Sequence, residues 1–560
     1  MKCNMLLIVA AMLSMPVRIA AQNDGAQYVE PGQDIPDSEA TSPDHHADDA
    51  FLRRYADQDD VDMLLKAAGS RIRRNLVFDA ELFGNVGSGD FAPFWFSTNR
   101  QGLSSINNKA IALDLGVFGS MYLPSHFHFN YGMELAVAAN HQSDFYLQQI
   151  YVDAGYKWFD LSLGAKEHWG ELVNSDLSTG GLTWSGNSRP IPQIRLEVPE
   201  FTRLGILGRL VSLKGHFAYG WYQDGEWRRD RANIYSKPPQ YTDKILHHSK
   251  SFFIKVGDPE RFPLEVTAGL EMYAQFGGTR HNIPLDVSEP LIADRDLPSD
   301  FNAFLRIILP VNKAGEQTKE NGNTLGSWHL AFDLTFEKWK YRLYYEHFYE
   351  DHSSMLGVEY KPDLYGNNGY VCYGFRRNWA DGIFGLEVNA PEGLPFRNIV
   401  FEFLNTRGQC GPICKLPPSP ILEGVDGRDE MYEHTVYSSY THYGYANGSP
   451  ILISPAYNKD GNLKYRSTRA MMFHLGINGN IARHFDYRLM VTHSSQWGTY
   501  KYPLPLREEI TSLLLEGFYR FSDADSWKIG LSLGADFGNG DLLGDNRGIM
   551  LSISKTWKML

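Results

Sequence analysis

Trp328-His-Leu-Ala-Phe-Asp-Leu-Thr-Phe336, closed by the short connection Lys338-Trp339-Lys340, is the stretch whose reading decides the fold. Trp328, Leu330, Phe332, Leu334 and Phe336 alternate with His329, Asp333, Thr335 and Glu337. A period of two belongs to a strand with one dry and one wet face. The same alternation recurs along the chain. Ile111, Leu113, Leu115 and Val117 alternate with Ala112, Asp114 and Gly116; Leu161, Leu163 and Ala165 with Ser162, Gly164 and Lys166; Val266, Ala268, Leu270 and Met272 with Thr267, Gly269 and Glu271. Alternation alone fits a soluble sandwich as well as a lipid-facing barrel.

The connections separate the two. Short ones fall at Pro124-Ser125, Trp158-Phe159, Thr202-Arg203, Asp258 to Arg261, Lys338 to Lys340, Pro391 to Leu394, Arg483-His484 and Ser522 to Ser526. Between them lie Asn85 to Asn108, Gly170 to Pro192, Asp224 to Lys250, Gly278 to Gly326, His352 to Asp381, Gly408 to Arg469 and Tyr500 to Glu509, with Asn140 to Asp144 a short exception. Tight turns on one side and long loops on the other are the habit of an outer-membrane barrel. Two further runs break the alternation of sides. Phe301 to Leu309 has a helical period, and Val436 to Tyr445 has no dry face; both are placed inside long loops. That leaves roughly eighteen strands, an even number, enough for a barrel with a real lumen. The fold class is therefore all-β: a closed antiparallel transmembrane barrel over 76–560. Ile549, Leu551 and Ile553 followed by Trp557 make a suitable terminal strand.

Upstream, Lys2, the apolar run Met5 to Met15, Pro16 and Ala20-Ala21 read as a signal peptide over 1–21. Its apolar core is too short to span a bilayer. Residues 22–50 are acidic, Pro- and Ser-rich, and read as a flexible linker. Within it Asp44-His45-His46-Ala47-Asp48-Asp49 holds metal-ligating residue types, although a solvated acidic tail accounts for them too. Residues 51–75 read as a short, partly helical periplasmic segment. Export places the chain in the outer membrane of a Gram-negative bacterium.

Composition fits that class. Of 560 residues 13% are aromatic, with 31 Tyr, 32 Phe and 12 Trp, as interfacial girdles need. The net charge of -13 with no basic tract argues against a nucleic-acid partner. Mean hydropathy of -0.34 is too polar for a helical membrane protein. After cleavage Cys372, Cys410 and Cys414 remain. Cys410 and Cys414, in a turn-like Gln-Cys-Gly-Pro-Ile-Cys stretch, are placed for a local disulfide in an oxidising compartment. No second cysteine pair accompanies them, which argues against a zinc site.

A set of segments in order carries a family resemblance: Gly89-Asp-Phe-Ala-Pro-Phe-Trp95 with Asn99-Arg-Gln-Gly102; Gly164-Ala-Lys-Glu-His-Trp-Gly170; Gly186-Asn-Ser-Arg-Pro-Ile-Pro-Gln193; Leu246-His-His248; Tyr344-Tyr-Glu-His-Phe-Tyr-Glu-Asp351; Asp381-Gly-Ile-Phe-Gly-Leu-Glu387; Glu402-Phe-Leu-Asn-Thr-Arg407; Thr492-His-Ser-Ser-Gln-Trp-Gly-Thr-Tyr500; and Leu542-Leu-Gly-Asp-Asn546. Together they resemble the capsule assembly Wzi family in its Bacteroidetes-like form. The resemblance implies an obstructed eighteen-stranded outer-membrane barrel that acts as a surface lectin for capsule, with no enzymatic activity and no cofactor. Its implied partners are capsular or exopolysaccharide, outer-membrane lipid, and the barrel-assembly and capsule-export machinery. The tail over 22–50 has no counterpart in it.

A lectin needs aromatic faces for sugar rings and fixed polar groups for hydroxyls and carboxylates. Phe94, Trp95, Trp169, Trp184 and Trp497 are the ring candidates. Arg100, Lys166, Arg189 and Arg407 suit acidic sugars. Glu167, Asn187, Gln193 and Asn405 suit hydroxyls. For each Trp the bland reading is a girdle or loop-packing residue; for Asn187-Ser-Arg-Pro190 it is a turn that plugs the lumen. The inward faces carry both signs: Arg195, Glu197, Lys214, Glu265, Glu271, Glu337, Arg342, Glu346, Glu387, Glu402 and Arg488. Paired carboxylates do acid–base chemistry, so a glycan or lipid hydrolase is one alternative; mutual pairing in the lumen is the bland account. No Gly-x-Ser-x-Gly elbow and no His-Glu-x-x-His motif occurs. A channel for oligosaccharide or peptide is the other alternative.

Overall fold

The computed structural model describes residues 73–123, 125–203, 210–236, 238–259, 261–284, 292–308, 321–350, 358–361, 370–373, 380–409, 431–521 and 527–558. The signal peptide, the acidic linker, most of the 51–75 segment and the Cys410–Cys414 pair lie outside them.

Eighteen strands form one antiparallel sheet in which each strand pairs with its neighbours in sequence. They are β1 (Arg73–Ser88), β2 (Lys109–Tyr122), β3 (Phe127–Ala139), β4 (Phe145–Tyr156), β5 (Phe159–Ala165), β6 (Gln193–Arg203), β7 (Val211–Trp221), β8 (Leu246–Val256) and β9 (Leu264–Phe276). Then come β10 (Asn323–Phe336), β11 (Trp339–Glu350), β12 (Gly382–Asn389), β13 (Asn398–Asn405), β14 (Ala470–Ala482), β15 (Phe485–Gly498), β16 (Pro503–Arg520), β17 (Trp527–Gly538) and β18 (Asn546–Lys558). β18 returns to β1, from Val77 opposite Lys558 to Ser88 opposite Arg547, so the sheet has no edge.

The wall is inverted relative to a soluble protein. Ile529, Leu531 and Leu533 on β17 and Ile549 and Leu551 on β18 are exposed, while Ser532, Asp536 and Ser554 are buried. Apolar side chains outside and polar ones inside are what a lipid surround demands of a closed sheet. At the short-turn end a belt of rings follows. Phe127 packs on Tyr156 with centroids 4.8 Å apart, and Tyr519 on Phe521 at 5.3 Å. Lys555 Nζ lies 5.3 Å from the Trp527 ring and 5.5 Å from that of Trp557, an interfacial pairing of cation and aromatic.

Several boundaries differ from the sequence reading. β1 begins at Arg73 and keeps Gly84 to Ser88 as strand, because all of them pair with β2 or β18. Thr202-Arg203 is not a turn: after a register shift past Val198, both residues pair with β7. The Tyr500 to Glu509 connection shrinks to 499–502, since β16 starts at Pro503 and carries its pairing that far. Glu337 stands exposed in a turn with φ of 53° rather than in the lumen. Phe301–Ile308 is a helix (α1), as its period predicts. It lies on the outside of the wall, where Ala303 and Ile307 cover the outward-facing Ala274 and Phe276.

β4 carries a bulge. Glu134 pairs with Gln149 and Leu135 with Leu147, leaving Gln148 unopposed. Tyr146, Gln148, Gln149 and Tyr151 all point inward as a result, and the bulge re-aims two glutamines at the lumen together.

Candidate functional site

Three long connections fold back into the barrel: 89–108 after β1, 166–192 after β5 and 431–469 before β14. Nearly every residue from Leu177 to Gln193 and from Val436 to Tyr457 is buried. Their apolar side chains, among them Phe94, Trp95, Phe96, Leu182, Trp184, Tyr432, Tyr440, Leu452 and Tyr465, form the largest core of the molecule, inside the barrel.

Loops without regular structure carry backbone groups that no ladder satisfies, and burying them requires other partners. The inward carboxylates accept from the N–H groups. Glu402 Oε2 accepts from Thr179 N at 2.8 Å and Thr179 Oγ1 at 2.7 Å; its Oε1 accepts from Ser178 Oγ and Tyr344 Oη, each at 2.5 Å. Glu346 Oε1 accepts from Leu182 N at 2.9 Å and Thr183 N at 3.0 Å. Asp536 Oδ2 accepts from Phe94 N at 2.9 Å, and Glu350 Oε1 from Tyr432 N at 3.1 Å. Tyrosine hydroxyls serve the carbonyls: Tyr440 donates to Thr183 O at 3.1 Å, Tyr445 to Ser104 O at 3.1 Å, and Tyr432 to Leu182 O. Tyr fills volume and still brings one donor, which suits this task. The Tyr-rich run of 436–445 has no dry face because it is surrounded on all sides.

The inward charges thus divide. Some pair with one another, as Arg195 with Glu197 at 2.5 Å, Arg342 with Asp333 at 2.6 Å and Lys214 with Glu171 at 3.0 Å. Others hold the plug. Arg100 reaches from the plug to Glu516 at 2.6 Å, where Arg488 also binds.

Of the sequence candidates, most build this plug. Phe94 and Trp95 sit in the short helix Phe94–Ser97 and are buried, Trp95 Nε1 donating to Thr492 Oγ1 at 3.2 Å. Trp184 stacks on Tyr273 with centroids 5.1 Å apart. Trp169 lies over Gly186, where an added Cβ would stand 2.2 Å from the ring. Lys166 binds Asp153 at 2.8 Å, and Glu167 Oε1 accepts from Gln148 at 3.0 Å. Asn187 donates to Ala446 O at 3.2 Å; Asn405 donates to Asp381 Oδ1 at 2.9 Å; Gln193 is buried. Ring faces already packed against protein offer no surface to a sugar, so the loop-packing reading describes Phe94, Trp95 and Trp184.

Two groups remain near the outer, long-loop end. Arg407 is exposed, its guanidinium carbon 5.1 Å from the Trp497 ring, and Arg507 approaches the same ring at 5.9 Å. Arg189 is buried beneath the 140–144 loop, 3.8 Å from the Tyr146 ring and 4.7 Å from that of Tyr443. It has no carboxylate within ion-pair distance among the described residues. His141 and His442 flank it. His141 Nδ1 accepts from Gln142 N at 2.9 Å and lies 3.4 Å from Arg189 Nη2. Burial, with the Arg189 charge second, pushes His141 down to about 4. His442 Nδ1 donates to Arg189 O at 2.9 Å while Nε2 accepts from Gln223 N at 3.4 Å; burial pushes it to about 4 as well.

No protein-family model matches the chain, and neither does any curated protein sequence. Among solved structures it is similar to Wzi of Escherichia coli, described as an outer-membrane protein involved in group 1 capsule assembly and a carbohydrate-binding β-barrel. That match has a TM-score of 0.51 and 13% identity, and covers 91% of each chain. OccK5 of Pseudomonas aeruginosa gives 0.41 and 9%, covering 87% of this chain and 98% of its own. OprD of the same organism gives 0.37 and 9%, covering 87% and 96%. The chain has the fold of an outer-membrane β-barrel of the Wzi type.

Proposed function

We propose that the protein is a non-enzymatic outer-membrane barrel, exported by its N-terminal signal peptide, that binds polysaccharide at the cell surface and keeps it attached. The observation that carries this reading is the filled lumen. Three outer connections occupy the interior with a packed core, which favours a surface task over solute passage. The likeness to a carbohydrate-binding barrel supports the ligand class. Trp497 flanked by Arg407 and Arg507 offers a ring and two cations at the outer rim, the chemistry that stacks on a pyranose and pairs with an acidic substituent.

Deleting the gene tests it. Cell-bound polysaccharide falls and the same material appears in the medium, with total synthesis unchanged. Cell-bound polysaccharide at the parental level in the deletion strain would overturn the reading.

A further inference from the structure

We infer that Glu271, His329 and Glu346 form a binding site for a divalent transition-metal ion, zinc being the ion that fits best. The three lie on consecutive strands β9, β10 and β11, all on the inward face and all buried. His329 stands directly opposite Glu346, and Glu271 opposite Ser327, so strand register alone brings the side chains together. One ligand atom from each residue lies within 4.8 Å of the others. His329 Nε2 is 3.3 Å from Glu271 Oε2 and 4.0 Å from Glu346 Oε1. Bonds of about 2.0–2.2 Å in a tetrahedral shell put neighbouring ligand atoms about 3.3–3.5 Å apart. Of the three edges, His329–Glu271 already has that length, and the two at Glu346 close with a small rotation of its carboxylate.

Two independent observations point to a cation. Glu346 Oε2 is buried and has no hydrogen-bond partner among the described residues, although Oε1 accepts from Leu182 N, Thr183 N and Ser327 Oγ. An unsatisfied oxygen on a buried carboxylate is costly to leave. The charges also do not balance. Two carboxylates face one imidazole, and the further carboxylate in electrostatic reach, Glu171, is already paired with Lys214 at 3.0 Å. An imidazole with two carboxylates suits zinc and its first-row neighbours, whereas calcium takes six or more oxygens. Water completes the shell. An ion there ties three strands together and fixes the carboxylate that holds the plug at Leu182 and Thr183.

The test uses the full chain in detergent, stripped with a chelator and carrying His45→Ala and His46→Ala, because Asp44-His45-His46 in the tail offers competing ligands. Titration with zinc alone is expected to fill one saturable site and to raise the unfolding temperature; cobalt in its place should give the intense visible bands of a four- or five-coordinate ion. Glu271→Gln and His329→Gln should each weaken binding at least tenfold. Folding of each variant is checked by the heat-dependent gel shift of a closed barrel. If His329→Gln does not fold, Glu271→Gln and the cobalt spectrum of the parent decide. Absence of saturable binding, or binding equally tight in the folded variants, overturns the site.

Discussion

Glu402 shows what one inward residue does in this barrel. It is wholly buried and collects four donors, three of them from Ser178 and Thr179 of the plug. Glu402→Gln keeps the shape but turns an NH2 group toward donors, leaving at least one buried donor unpaired. The expected loss is about 1–3 kcal/mol, read as a lower unfolding temperature and faster proteolysis within 169–192. Near the outer end the histidines set a pH dependence. His141 and His442 both have folded-state values pushed from 6.5 to about 4. The unfolded chain therefore binds more protons between those values, and stability rises with pH across the window. It is complete above about 6.5 and is lost toward about 4, on the order of 3 kcal/mol for each group. Protonation at His141 Nδ1 or His442 Nε2 removes the acceptor that Gln142 N or Gln223 N uses. Unfolding temperature against pH measures this, and His442→Asn should flatten the slope below pH 6.5.

At the scale of the element, β4 makes the sharpest claim. The bulge at Gln148 shifts the inward set between Tyr146 and Gln149. Deleting Gln148 sets outward Leu147 directly before inward Gln149, so alternation becomes regular with Tyr146 still toward the lumen and Phe145 and Leu147 still toward lipid. What the deletion removes is the pair of Gln148 bonds to Gln101 O and Glu167. The deletion and Gln148→Ala are both expected to refold into detergent with a lowered unfolding temperature, since each loses the same two hydrogen bonds; failure of the deletion alone to refold would show that the bulge itself is required. Elements of this kind mark the limit of what the chain discloses. Strand identity and loop sorting were legible because period two and turn residues are local signals, and α1 was legible from its own period. The bulge was not, since its extra residue is defined only against β3. The plug was not legible either. Phe94 N meets Asp536 across 442 positions, and Tyr445 meets Ser104 across 341, contacts that exist only once the barrel closes. Trp95 and Trp184 offer ring faces in the sequence, and the closed barrel spends those faces on packing. Trp497, the last residue but one of β15, and Arg407, just past the end of β13, meet at the outer rim instead.

For the whole molecule the decisive quantity is whether the lumen conducts. An eighteen-stranded wall is wide enough for an aqueous passage, so the sheet itself does not separate a channel from an anchoring protein. The interior does. Segment 431–469 contributes Tyr432, Tyr437, Tyr440, Tyr445, Leu452 and Tyr465 to the core, all buried, and the Tyr432 and Tyr440 hydroxyls are bonded to the 166–192 connection. Opening a path past them requires breaking several of these bonds together. The intact protein in a planar bilayer is therefore expected to show little conductance. Replacing 431–468 by a short Gly-Ser linker removes a large part of that core while leaving every wall strand in place, and conductance should rise several-fold. Glu350 and Gln496, which hold the removed segment at Tyr432 N and Ile451 O, then meet water. An intact protein that conducts as well as the shortened one would mean that the plug moves aside in the membrane, and the channel reading would then replace the surface-binding one.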